Sequence, residues 1–134
     1  MKEDILYFIE FINDLVDDEF MESIGYVRAK DYFQSGGCYE FACILSHYLP
    51  QSKMMIRHDL KHLAIFYNGN IYDSYGLLKK QDFRDLQALD YSYIEDEAFY
   101  GRLEIRIEGR KPSDVIIEEI EKCRIGPLLE KIKQ

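Results

Sequence analysis

Three residue types that can share one hydrolytic reaction follow each other along the chain as Cys38, His62 and Asp73. In such a set the sulfur attacks a carbonyl carbon, the imidazole carries the proton, and the carboxylate holds the ring by one nitrogen. Cys38 follows Gly36-Gly37 and heads an apolar stripe of Phe41, Ala42, Leu45, Tyr48 and Leu49 that Pro50 ends. This pattern predicts a helix with Ser35 as its cap and Cys38 in its first turn. There the unpaired backbone N–H groups and the helix dipole favour a negative sulfur. With an imidazolium nearby, a thiol pKa of about 8.5 falls into the range of roughly 3.5–7.5, which makes a nucleophile at neutral pH. The N–H of Cys38 is one candidate donor to an oxyanion, and the side-chain amide of Gln34, just before the glycines, is a second.

His62 and Asp73 come together only if the chain between them folds back. Asn68-Gly69 is the strongest short-range hairpin signal in the sequence. A two-residue turn there pairs Tyr67 with Asn70, Phe66 with Ile71, Ile65 with Tyr72, Ala64 with Asp73, Leu63 with Ser74 and His62 with Tyr75. His62 and Asp73 then project from one face as diagonal neighbours about 7–8 Å apart at their strand positions, within reach of both side chains. Small Ala64 beside His62 leaves room. A three-residue turn would slip the register by one and send Asp73 to the other face.

The run Gly36-Gly37-Cys38-Tyr39-Glu40-Phe41-Ala42, then His62-Leu63-Ala64-Ile65, then Gly69-Asn70-Ile71-Tyr72-Asp73-Ser74-Tyr75-Gly76, resembles the papain-like and transglutaminase-like cysteine hydrolase superfamily. Its members start a helix with Cys and follow it with His and Asp on adjacent strands. The resemblance spans residues 36–76 and implies an α+β fold and thiol chemistry on amide or ester carbonyls, with Cys38, His62 and Asp73 in the family roles. Two departures stand out. The chain has no Trp, offering Tyr39 after the Cys and Ile65 near the His, and Gln34 lies nearer to Cys38 than the oxyanion Gln of papain-type enzymes lies to its Cys.

Each candidate also has a structural alternative. Cys38 on an apolar stripe suits a small buried hydrophobe, His62 a hydrogen-bonded polar residue at a strand start, and Asp73 a turn cap. His58, in Arg57-His58-Asp59, is a rival base with its own carboxylate, placed in an expected loop. Cys43, His47 and Cys123 read as structural or surface residues, and their spacing forms no metal site. Tyr67, Tyr72, Tyr75, Tyr91, Tyr93 and Tyr100 read as packing residues, or as part of an aromatic, acidic docking patch.

The elements that must position the set are legible in the periodicity. Ile5, Phe8, Ile9, Ile12, Leu15 and Val16 lie at helical spacing within 4–17, and a weaker helix over 19–30 is interrupted by Gly25. Strands are predicted at 53–57, 62–67 and 70–74, a short helix within 81–89, a half-buried strand at 103–108, and a helix over 113–122. Gly126-Pro127 then precedes a final turn with Leu128, Leu129 and Ile132, and the acidic, tyrosine-rich stretch 90–97 reads as surface. The sum is α+β, an antiparallel sheet flanked by helices, as one domain over 1–134.

Of the 134 residues 47% are hydrophobic, which excludes a disordered chain, and the net charge is −8. That charge argues against direct nucleic-acid binding, which gains affinity by neutralising phosphates with Lys and Arg. A basic protein is the better electrostatic partner. Acidic Glu3 and Asp4 replace the positive start of a signal peptide, no apolar stretch is long enough to span a bilayer, and the odd cysteine count suggests no disulfide framework, so a cytoplasmic protein is expected. No cofactor, metal or membrane function has support, since phosphate-binding Gly loops, metal motifs and basic amphipathic faces are absent. Two functions fit. One is a cysteine-dependent hydrolase or acyltransferase acting on a protein or small-molecule amide. The other is a non-enzymatic acidic binding or inhibitor protein, of the kind a phage or mobile element encodes, with the fold as scaffold.

Overall fold

Ile5, Phe8, Ile9 and Ile12 recur every three or four residues and form the buried side of α1, Lys2–Leu15. The computed structural model describes residues 2–16, 32–34, 37–93, 107 and 109–133. Beyond α1, the elements are α2, Cys38–Tyr48; β1, Lys53–Arg57; β2, Leu63–Tyr67; β3, Asn70–Asp73; β4, Gly76–Leu78; β5, Phe83–Asp85; α3, Ala88–Tyr93; α4, Pro112–Glu121; and α5, Gly126–Lys133. The helix expected over 19–30 and nearly all of the strand expected at 103–108 lie outside the described residues; Ile107 is described, and it bridges Arg110.

The five strands form one antiparallel sheet in the order β4-β3-β2-β1-β5. Its centre is the hairpin set by Asn68 and Gly69, whose φ values of 52° and 89° are those of a two-residue turn with left-handed central residues. The register is the one the turn dictates, with Ile65 opposite Tyr72, Phe66 opposite Ile71 and Tyr67 opposite Asn70. Alternation then sorts the side chains. Ile65 and Tyr72 join the core shared with α1, α2, α4 and α5, while Met55, Ala64, Ile71 and Phe83 form a separate cluster.

α2 packs on β2 and also against α4, so its burial exceeds a single stripe and includes Glu40 and Ile44. Gly37 caps it without a side-chain hydrogen bond, and Ser35, the expected cap, lies outside the described residues. Gly37 is required by contact: a Cβ there would meet the fully buried Tyr32 ring at 2.5 Å.

Three expectations are corrected. Residues 81–89 do not form one helix: a single 3-10 turn, Lys80–Asp82, leads into β5, and α3 begins at Ala88. The outer edge of β1 supplies the competing partner, pairing Arg57 with Phe83, Ile56 with Arg84 and Met55 with Asp85. The chain end is the two-turn helix α5 and not a mere turn, because Pro127 is tolerated where N–H groups have no helical partner and fully buried Ile132 anchors the other end. Asp90, in the stretch expected at the surface, is buried in a two-pronged bond with Arg84 at 2.9 Å. No helix among the described residues is long and apolar enough to cross a membrane.

Candidate active site

The paired hairpin carries His62 and Asp73 to one end of the sheet. His62 stands just before β2, tied to β1 by the Arg57 N–H on its carbonyl at 2.8 Å, and Asp73 ends β3. His62 Nε2 lies 2.8 Å from Asp73 Oδ2, and both residues are buried, at 3% and 4% exposure. The same Oδ2 accepts the Gln34 amide at 2.7 Å, and Oδ1 accepts the Tyr75 N–H at 2.8 Å. Burial raises the Asp73 pKa, but donors from His62, Gln34 and Tyr75 outweigh it and hold the carboxyl below its ordinary value. The carboxylate is therefore ionised at neutral pH. The Phe83 ring lies edge-on to the His62 ring, with centroids 6.2 Å apart.

Cys38 heads α2, as the spacing predicts, but its surroundings differ from those expected of an activated sulfur. It is 2% exposed and clusters with Ile56 and Leu63. Burial pushes its pKa up to about 11, against which backbone N–H groups of Leu63, Tyr39 and Cys38 itself act, while the negative Asp73 pushes it further up. The helix amino end does supply donors to the sulfur. Desolvation is the larger effect, so Cys38 rests as a thiol and not as the thiolate expected from helix position alone.

A cavity of about 350 Å³ opens beside the pair, with Gln34, His62, Asp73, Tyr75 and Phe83 among its walls. Arg57 and Lys79 bring positive charge to it and Asp82 negative charge. The hydrogen bonds of the imidazole and of the sulfur run to different partners, Asp73 for the ring and backbone N–H groups for the thiol. The family described as Phage YunG-like protein matches residues 8–103, a stretch holding the second half of α1, all of α2 and the whole sheet. The chain belongs to the phage YunG-like family. No curated protein and no solved structure matches it.

In this phage YunG-like chain the other sequence candidates scatter. His58 Nε2 is 2.9 Å from the Gln81 carbonyl on the exposed surface. Cys43 is partly buried beside Tyr39, and burial pushes it up to about 11. His47 lies 3.9 Å from Glu121, and the Cys123 sulfur 3.5 Å from the Glu119 carbonyl. Among the described residues no group of three or more His, Cys, Asp or Glu could hold a metal ion.

Gln34 is brought to the site, but onto Asp73 and onto Ser74 Oγ, at 2.7 and 2.8 Å. Sequence reasoning missed Asn13, whose Nδ2 reaches from α1 to the Ser74 carbonyl at 3.0 Å, and the Tyr75 N–H on Asp73. The expected pairs of Leu63 with Ser74 and His62 with Tyr75 do not form, because β3 ends at Asp73 and Ser74-Tyr75 turn the chain into β4. The Tyr75 bond is the local one by which an Asp side chain accepts the N–H two residues on, and an Asp before a turn was its signal. Nothing in the spacing announces Asn13, which lies within the polar edge of an amphipathic helix.

Proposed function

We propose that the protein is a cysteine-dependent hydrolase or acyltransferase that acts on an amide bond from a papain-like or transglutaminase-like core, in the cytoplasm. The observation that carries the reading is the buried 2.8 Å contact between His62 Nε2 and Asp73 Oδ2. An ionised carboxylate only accepts, so Nε2 bears the ring proton and Nδ1 keeps a lone pair to act as base. The Cys38 thiol gives its proton to Nδ1 as the sulfur bonds to the carbonyl carbon, and the carbonyl electron pair moves onto oxygen. Backbone N–H groups at the head of α2 receive that oxyanion. Collapse breaks the C–N bond, the leaving amine takes the proton from the imidazolium, and a thioester remains on Cys38. Water then releases an acid, or a second amine forms a new amide, with His62 again moving the proton. The substrate is a protein or small-molecule amide.

A burst assay with p-nitrophenyl acetate tests this. One equivalent of nitrophenolate should appear quickly with the wild type and be lost in both Cys38→Ala and His62→Ala. A wild-type trace that superimposes on Cys38→Ala would end the enzymatic reading.

One observation favours a second reading: Cys38 is 2% exposed and its pKa is pushed up to about 11. In that reading the fold is a scaffold, and the acidic surface binds a basic protein. Membership in the phage YunG-like family is compatible with such a phage-encoded binder. Capture of the partner on immobilised protein would fall steeply with added salt and survive Cys38→Ala, because rim charges are screened and the sulfur takes no part. Capture indifferent to ionic strength would count against it.

A further inference from the structure

Gln34 has two amide hydrogens, and both are spoken for. Its Nε2 lies 2.7 Å from Asp73 Oδ2 and 2.8 Å from Ser74 Oγ. The orientation of the amide follows from its neighbour: a carboxylate offers no hydrogen, so the amide oxygen cannot face it. What remains of Gln34 is an acceptor, which cannot stabilise a developing negative oxygen. We propose that Gln34 is a positioning residue, holding the Asp73 carboxylate so that it keeps His62 in the tautomer protonated on Nε2, and that the oxyanion is left to backbone N–H groups of α2.

The surroundings are built for that task. Oδ2 of Asp73 is shared by Gln34 and His62, and Oδ1 is fixed by the Tyr75 N–H at 2.8 Å, so the carboxylate plane has donors on both sides. Ser74, fully buried, takes the second Gln34 hydrogen on its hydroxyl. Its carbonyl takes Asn13 Nδ2 at 3.0 Å, and the same nitrogen is bonded to the Ile9 carbonyl at 3.1 Å. α1 thereby pins the end of β3 from one side while Gln34 pins it from the other. A buried carboxylate stripped of one donor is poorly compensated and free to turn, and the ring it holds turns with it.

The assignment goes beyond the hydrolase reading, because the carboxylate and imidazole meet whether or not Cys38 reacts. It is tested on protein with 15N-labelled histidine, by long-range 1H–15N correlation at neutral pH. In the wild type the two His62 nitrogens should be widely separated, Nε2 protonated and Nδ1 bare. Gln34→Met keeps the length but removes both hydrogens, and the separation should collapse as the ring samples both tautomers. Gln34→Glu places a second carboxyl against Asp73 in place of a donor, and both His62 nitrogen signals should move away from their wild-type positions.

If Gln34 instead serves an oxyanion, both variants lose turnover while the His62 spectrum stays that of the wild type, and the proposal is overturned. The wild type alone gives a second check that needs no variant to fold. Both side-chain amide hydrogens of Gln34 should be protected from exchange with water, and rapid exchange of either also overturns it. An inactive protein with the expected spectra would leave the positioning role intact while removing the hydrolase reading.

Discussion

Gln34 and His62 direct their nitrogens at the same oxygen of Asp73, at 2.7 and 2.8 Å. One acceptor atom thus joins the approach to α2 with the β2–β3 hairpin. An ionised acceptor strengthens both bonds, which makes the charge of Asp73 a stabilising feature despite its burial.

That charge sets a pH dependence. Asp73 is held below its ordinary value of 3.8 in the fold, so it adds stability above 3.8 that is lost as pH falls through the lower folded value. Urea midpoints measured from neutrality downward should fall more steeply for the wild type than for Asp73→Asn. The variant should be less stable at neutral pH by about 1–3 kcal/mol, the scale for disturbing buried hydrogen-bonded charge. Parallel curves would remove Asp73 from the account.

The thiols should react in an order that the helix position of Cys38 would not suggest. Cys38 is nearly inaccessible and held up near 11, whereas Cys123 is partly exposed. If the fold is only a scaffold, iodoacetamide at neutral pH should alkylate Cys123 before Cys38 and urea should abolish the difference, whereas the nucleophile of the hydrolase reading would be labelled first. Peptide mapping by mass spectrometry reads this directly, and rapid labelling of Cys38 in the folded protein would exclude the scaffold reading.

Gly37→Ala should lower the melting temperature by several degrees, since the new methyl meets the Tyr32 ring at 2.5 Å and overpacking costs about 1–3 kcal/mol. Gly126→Ala, where nothing lies within 4 Å of the added carbon, is the control and should leave the melting curve almost unchanged.

The hairpin turn can be tested by length. One glycine inserted between Asn68 and Gly69 shifts the register by one residue and turns Asp73 to the opposite face. The His62–Asp73 contact should vanish from the long-range nitrogen spectrum, with the hairpin itself retained by its remaining cross-strand bonds. Gly69→Ala, at φ 89°, keeps the register and should cost only stability, about 1 kcal/mol or more.

What was legible in the sequence is what local pattern fixes. Asn68-Gly69 specifies a turn and the turn specifies a register, so the meeting of His62 with Asp73 followed from spacing. The start of α2 at Cys38 followed from the glycines and the apolar stripe. β4 and β5, at three residues each, are too short to display a period and exist because the neighbouring strands offer them partners. The protonation of Cys38 was not legible either, because helix position argues one way and burial the other, and burial is decided by Ile56 and Leu63, which arrive from the sheet. Gln34 was recognised as a site residue, but which atoms it touches depended on how the chain returns to it through Asp73 and Ser74.

The two outer strands of the sheet, Gly76–Leu78 and Phe83–Asp85, carry a further consequence. Each presents too short a row of main-chain groups for a visiting polypeptide to zip alongside, which protects against self-association through the rims.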